Sequence, residues 1–113
     1  MFSMPVSAKG SRREREFLEL LANQGMVVHR VAGSGLHENA ICDLVGIEKT
    51  GKVHLIEVKS RKSIYYPNDN KEQLEELIRV AQTCNAKPVL AVKLNYKDWK
   101  IIDLNNGIPA KIS

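Results

Sequence analysis

The residues of this sequence best suited to chemistry are two acids and a lysine in neighbouring apolar segments. Glu57 and Lys59 lie near the end of the run 53–59, and Asp43 lies in the apolar run before it. Successive side chains of a strand point to opposite faces, so Glu57 and Lys59 are expected to share a face. A strand rich in Val, Leu and Ile is expected to be at least half buried. Charges are costly there unless they pair or meet a cation or a phosphate.

A short connection that contains a glycine, Lys49 to Lys52, separates the two apolar runs and predicts an antiparallel hairpin. Such a hairpin can bring Asp43 to Glu57. Two carboxylates about 4 Å apart repel by about 4 kcal/mol in a protein surface environment, so the pair must share a proton or hold a divalent cation. Carboxylate oxygens suit a hard ion such as Mg²⁺ or Mn²⁺. The alternative is an ordinary charged strand end, with Asp43 at the start of a turn.

Length and composition indicate one small basic domain. The 113 residues are enough for a single core of Val, Ile, Leu and Ala. No apolar run is long enough to span a membrane and the N-terminus carries no secretory pattern, so we expect an intracellular protein. Seventeen Lys and Arg against thirteen Asp and Glu give a net charge of +4 and a pI near 9.2, which favours an anionic partner. Cys42 and Cys84 lack zinc spacing and are predicted to be buried apolar residues.

Hydrophobic patterning predicts the order helix, three strands, helix, two strands. The first helix, over about 12–24, begins with a capping box at 11–14 and places Glu14 on its inward face; the second covers about 70–84. The strands are predicted at 26–31, 41–48, 53–59, 88–94 and 99–104. This order predicts an α/β fold with a mixed central sheet flanked by helices. We predict a domain over 11–104, a flexible tail over 1–10 and a C-terminal tail over 105–113.

Five segments taken together resemble the archaeal Holliday-junction resolvases, which belong to the restriction-endonuclease-like nuclease superfamily. They are Lys9-Gly10-Ser11 with Glu14-Arg15-Glu16, Arg30 to Ser34, Asp43-Leu44-Val45, Ile56 to Ser60 and Pro88 to Lys93. The resemblance runs from about Lys9 to Leu104 and implies a restriction-endonuclease-like fold. It also implies a homodimer that cuts four-way DNA junctions symmetrically, with Mg²⁺ as cofactor and Mn²⁺ as an alternative ion. Such a protein would be cytoplasmic and nucleoid-associated, without membrane contact.

The resemblance also implies roles for particular residues. The metal ligands would be Glu14, Asp43, Glu57 and the backbone carbonyl of Val58. The catalytic set would be the same three acids with Lys59, which orients or activates the attacking water, and Ser34, which approaches the scissile strand. Arg15 would contact phosphate. With the other basic residues near these positions it makes up the predicted DNA-binding set: Lys9, Arg12, Arg13, Arg15, Arg30, Arg61 and Lys62.

The sequence departs from the family pattern at three points. Cys42 stands where the superfamily usually has a proline before the aspartate, the second helix has no aromatic residue at the position of the dimer surface of some relatives, and the loop 36–40 looks longer. Two alternative functions stay open. One is a related nuclease that acts on other branched, nicked or duplex DNA, and the other is a nuclease-like DNA-binding module that does not cleave.

Overall fold

The sheet and the two helices occur in the predicted order. The computed structural model describes residues 8–31 and 40–113, with side chains from Ser11 onwards. The elements are α1 (Ala8–Asn23), β1 (Val27–Arg30), β2 (Leu44–Ile47), β3 (Val53–Arg61), α2 (Lys71–Thr83), β4 (Lys87–Leu94) and β5 (Lys100–Asp103), with short 3₁₀ helices at Pro67–Asn70 and Leu104–Asn106. The predicted order and the mixed sheet with flanking helices are confirmed.

Strand pairing fixes where the two acids stand. The sheet has the order β1-β2-β3-β4-β5, in which β3 and β4 are parallel and every other neighbouring pair is antiparallel. Parallel neighbours need a crossover connection, and α2 makes it. The β2–β3 hairpin turns at Gly51, whose φ of 91° is open to glycine without steric cost. Its register pairs Leu44 with Ile56 and so sets Asp43 across from Glu57.

The two helices cover opposite faces of the sheet. In β4, Val89 and Ala91 face α1 whereas Leu90 and Val92 face α2, which is the alternation that a strand buried on both sides requires. The core under α1 consists of Phe17, Leu21, Leu44, Ile56, Val58, Val89 and Ala91. The core under α2 consists of Cys42, Tyr65, Leu74, Leu77, Leu90, Val92, Leu94, Leu104 and Ile112.

Several boundaries differ from the predicted ones. Helix α1 begins at Ala8, so residues 8–10 are helical and the capping box predicted at Ser11 is wrong. The Ser11 hydroxyl instead accepts a hydrogen bond from Arg30 Nη2 at 2.7 Å. Cys42 is buried as predicted, but Cys84 is exposed because it follows the last turn of α2.

The C-terminal residues pack against the domain. Ile112 is 6% exposed and exchanges two backbone hydrogen bonds of 2.9 Å with Tyr65. Residues 105–113, predicted as a tail, therefore contribute to the core under α2. Across residues 8–31 and 40–113, no helix is both long and apolar enough to cross a membrane.

Candidate active site

Asp43 and Glu57 lie together in a largely buried position. Their exposed fractions are 9% and 3%. Asp43 directly precedes β2, where its backbone N–H donates to the carbonyl of Ile56 at 3.0 Å. Its Oδ2 accepts a hydrogen bond from the backbone N–H of Val58 at 2.9 Å. The neighbouring strand thus holds Asp43 at two points, because the backbone of Asp43 binds Ile56 and its carboxylate binds Val58, on either side of Glu57.

Burial and mutual repulsion make Glu57 reluctant to ionise. Burial is the main cause that raises the pKa of Glu57 to about 7, and the negative charge of Asp43 adds to it. The ammonium of Lys59, 3.2 Å from Glu57 Oε2, opposes this rise in pKa but does not cancel it. Two carboxylates that repel each other away from water are suitable oxygen ligands for a divalent cation, which would relieve the repulsion.

Lys59 is held on the α2 side of the sheet. Its side chain is 15% exposed, and Nζ donates to Gln73 Oε1 at 3.1 Å in addition to its contact with Glu57. Gln73 lies in the first turn of α2, fourteen residues from Lys59. Sequence reasoning missed Gln73, and the only signal that could have suggested it is its place at the start of a helix that must cross over β3.

Glu14 approaches from α1, on the other side of the sheet. Its Oε1 accepts a hydrogen bond from Arg30 Nε at 2.7 Å. Burial raises the pKa of Glu14, the hydrogen bond from Arg30 opposes this, and the charge of Asp43 raises it further. Asp43 is therefore the acid that influences both Glu14 and Glu57. Within the part of the chain that the structure describes, no three His, Cys, Asp or Glu side chains form a group that could hold a metal ion.

The predicted DNA-binding residues divide into two groups. Arg12, Arg15, Arg61 and Lys62 are exposed. Arg61 also stacks over the ring of Tyr65, with its guanidinium carbon 4.9 Å from the ring centroid.

Arg13 and Arg30 are engaged within the protein. The Arg13 side chain is 14% exposed and binds Glu16 Oε2 through Nη1 at 2.8 Å, but its Nε is buried without a hydrogen-bond partner. Arg30 binds Glu14 and Ser11. Ser34 lies outside the described residues, as does the side chain of Lys9.

Cys42, next to the catalytic candidate Asp43, is not a nucleophile. Burial raises the pKa of its thiol to about 11, and the charges of Glu57 and Asp43 push it in the same direction. Because the thiolate is the reactive form, this side chain is an inert part of the core.

A cavity of about 580 Å³ lies between α1 and the sheet, away from the acids. Its wall includes Phe17, Leu21, Ile56 and Val89. Asp43, Glu57 and Lys59 do not line it, so this cavity is separate from the candidate site.

Comparisons with known proteins identify the family of this chain. Residues 5–108 match the family described as archaeal Holliday junction resolvase (Hjc). The crossover junction endodeoxyribonuclease Hjc of Archaeoglobus fulgidus is 36% identical over 98 residues, which are 84% of this chain and 68% of that protein. The protein of the same name from Methanocaldococcus jannaschii is 42% identical over 89 residues, which are 77% of this chain and 60% of its relative.

The fold agrees as well. The structure of A. fulgidus Hjc, described as a Holliday junction resolvase from an archaeal hyperthermophile, superposes with a TM-score of 0.68 at 34% identity. The match covers 83% of this chain and 75% of that one. The sheet with its two helices therefore has the restriction-endonuclease-like fold that the sequence predicted. Family model, relatives and fold all lead to one conclusion: this chain is a member of the archaeal Holliday junction resolvase (Hjc) family.

Proposed function

We propose that this protein is an endodeoxyribonuclease that resolves four-way DNA junctions by paired, symmetric hydrolysis of phosphodiesters. Family membership supports the substrate, and the relatives are named crossover junction endodeoxyribonucleases. The observation that carries the chemistry is the buried pair Asp43 and Glu57 with the ammonium of Lys59 beside it. A domain that only binds DNA gains nothing from buried acids that repel the phosphate backbone.

The adjacent carboxylates of Asp43 and Glu57 offer oxygen ligands to a divalent metal ion, which nucleases of this fold generally use. We propose Mg²⁺, with Mn²⁺ as an alternative, and assign its binding to Glu14, Asp43, Glu57 and the backbone carbonyl of Val58. The supporting argument is that burial raises the pKa values of Glu57 and Glu14 even though Lys59 and Arg30 lie beside them, and a divalent ion would favour their ionised forms. A bound ion would supply polarisation of the attacking water and offset charge on the phosphate.

The side chains of this site divide the remaining work. Hydrolysis requires that a water oxygen attacks phosphorus, that a bridging P–O bond breaks and that the leaving oxygen gains a proton. We assign to Lys59 the role of orienting the attacking water or of donating to a phosphate oxygen, where negative charge builds up in the transition state. Glu57 holds that ammonium through its Oε2. We propose that Ser34 approaches the DNA strand that is cut.

Basic side chains outside the catalytic cluster are proposed to bind the phosphate backbone. Arg12 and Arg15 on α1 and Arg61 and Lys62 at the end of β3 are exposed, and Lys9, Arg13 and Arg30 complete the set. Such contacts provide affinity without sequence information and weaken as salt rises.

Selectivity for a junction must come from the shape of the branch. Symmetric resolution of a four-way junction requires cuts on two strands. The described residues of one chain offer one pair of buried acids, Asp43 and Glu57, so we propose a homodimer with one site per subunit. The shape of the branch and the spacing of the two sites then select the substrate. Sedimentation equilibrium tests the dimer, and a monomer at the concentration that supports paired cutting would contradict it. The substrate also implies a cytoplasmic, nucleoid-associated location.

Cleavage of matched substrates tests the function. We expect Mg²⁺ to support cutting of a labelled four-way junction far better than cutting of a linear duplex of the same sequence. Asp43→Asn and Glu57→Gln should abolish cutting and still bind the junction in a gel-shift assay, because each removes a negative charge and no phosphate contact. Glu19→Gln, which changes an exposed acid of α1, is the matched control.

Three results would contradict the proposal. Equal cutting of nicked, flapped or plain duplex DNA would favour the related nuclease with another substrate. Undiminished cutting by Asp43→Asn or Glu57→Gln would show that the assigned catalytic site is wrong. Junction binding without any cleavage, in Mg²⁺ and in Mn²⁺, would favour a non-cleaving module.

A further inference from the structure

The ammonium of Lys59 is fixed by two oxygen acceptors from different elements. Glu57 Oε2 lies 3.2 Å from Nζ and comes from the same strand, while Gln73 Oε1 lies 3.1 Å from Nζ and comes from α2. An ammonium has three N–H donors. The described residues use two of them, which leaves the third for a water or a phosphate oxygen of the substrate.

The backbone of the first turn of α2 is anchored on both sides of Gln73, whose own side chain is exposed. Leu74, the next residue, is fully buried and packs in the core under α2. Immediately before the helix, Asn70 accepts a hydrogen bond of 2.7 Å from the hydroxyl of Tyr65, which is 1% exposed. Tyr65 in turn pairs with Ile112 through its backbone. The start of α2 is thus held on both sides of Gln73.

A neutral acceptor suits this position better than a charged one. The site already holds Asp43 and Glu57, and Asp43 also acts on Glu14. A further carboxylate would add repulsion toward the other acids and toward DNA. An amide oxygen binds the ammonium without changing the net charge of the site.

We propose that Gln73 is a positioning residue for cleavage, which acts by holding the Lys59 ammonium in the orientation that presents its third N–H to the substrate. The inference rests on the proposed nuclease function. Lysine has a flexible four-carbon stem, so with Glu57 as its only acceptor the ammonium has more orientations to choose from. Loss of Gln73 should therefore reduce the rate of the chemical step, whereas DNA binding, which depends on phosphate contacts elsewhere, should not change.

The test compares variants of similar size at the same position. Gln73→Met keeps the length of the side chain and removes the oxygen acceptor, and Gln73→Glu keeps an oxygen there. For a four-way junction in Mg²⁺, we expect Gln73→Met to lower kcat roughly tenfold with KM unchanged, as for loss of one hydrogen bond to a charged group. Gln73→Glu should retain kcat near the wild-type value, although its added charge raises KM. Gln82→Met, on an exposed part of the same helix, should match the wild type in both constants.

A second measurement does not depend on cleavage. In ¹⁵N-labelled, DNA-free protein, an ammonium held by two acceptors exchanges its hydrogens slowly, so Lys59 should give a resolved ammonium signal. Gln73→Met should broaden or remove that signal, and Gln73→Glu should preserve it. Thermal unfolding of each variant checks that the fold is intact.

The possible failures can be told apart. A wild-type protein that cuts no junction overturns the proposed function, while the ammonium signal still tests the contact. If the wild type cuts and Gln73→Met has the wild-type kcat, the role of Gln73 is wrong and the function stands. A kcat as low in Gln73→Glu as in Gln73→Met, or a loss that appears only in KM, also overturns the inference. An ammonium signal unaffected by Gln73→Met refutes the contact itself.

Discussion

Replacing Glu57 by glutamine should make the metal-free protein more stable at alkaline pH and leave its stability unchanged in acid. The pKa of this carboxyl is raised from its ordinary value of 4.5 to about 7, mainly by burial. At about 1.4 kcal/mol per pKa unit, the ionised side chain costs the folded state about 3 kcal/mol. This cost already includes the favourable contact with Lys59, which lowers the pKa of Glu57. The glutamine variant lacks the cost, so the expected net gain is about 3 kcal/mol.

The sign of the pH dependence follows from the direction of the shift in pKa. Below pH 4.5 the carboxyl is protonated in both the folded and the unfolded chain, and it makes no difference to stability. Between pH 4.5 and about 7 the unfolded chain ionises more readily than the folded one, so the free energy of unfolding falls as the pH rises. Above pH 7 the full cost is present. The free energy of unfolding of the Glu57→Gln protein should therefore rise relative to that of the wild type across this interval and stay higher at pH 8.

Guanidinium chloride unfolding at pH 4, 6 and 8, without metal, measures the effect. A net gain of about 3 kcal/mol corresponds to a rise in Tm of roughly 12 °C for a domain of this size. Added MgCl₂ should narrow the gap at pH 8, because binding to the folded wild type adds about 1.4 kcal/mol at ten times Kd and the variant has lost a ligand. Glu19→Gln, which changes an exposed acid on α1, should show neither effect. A variant that is no more stable than the wild type at pH 8, or equally shifted at all three pH values, would refute the account of the site.

Three further outcomes follow from contacts around the site. Arg30→Met should raise the pKa of Glu14 further, because the substitution removes the hydrogen bond that lowers this pKa. A ¹³C NMR titration of the Glu14 carboxyl carbon measures the change, and an unchanged or lower pKa would contradict the prediction. Phe17→Ala should destabilise the fold by about 3–5 kcal/mol in guanidinium unfolding, because Phe17 is 1% exposed and packs against Trp99. A loss below about 1 kcal/mol would show that the core under α1 is not tightly packed. Tyr65→Phe should cost about 1 kcal/mol through its lost hydrogen bond to Asn70, and an unchanged midpoint of unfolding would show that this bond does not help to hold the start of α2.

Local periodicity was enough to predict the elements and the pairing of the two acids. Strand alternation puts Glu57 and Lys59 on one face whatever surrounds them, and the glycine at 51 makes the hairpin that sets Asp43 across from Glu57. These predictions depend on a few neighbouring residues and on backbone geometry that tertiary packing does not alter. The apolar stripe of α2 was readable for the same reason.

Element boundaries and the surroundings of the site were not readable in this way. The start of α1 at Ala8 went unpredicted, because Ser11 has the local form of a helix cap and only the extended helix shows that its hydroxyl serves Arg30 instead. The exposure of Cys84 depends on where the last turn of α2 meets the sheet.

Sequence by itself determined which residues can carry the chemistry, since acid and base types at period-two spacing depend on the chain alone. Tertiary structure decided what each of them touches. Glu14 meets Arg30 sixteen residues away, and Lys59 meets Gln73 fourteen residues away, because two helices pack on opposite faces of the sheet. Contacts between distant segments depend on how the helices dock, and docking is set by the shape of both cores together rather than by any local pattern.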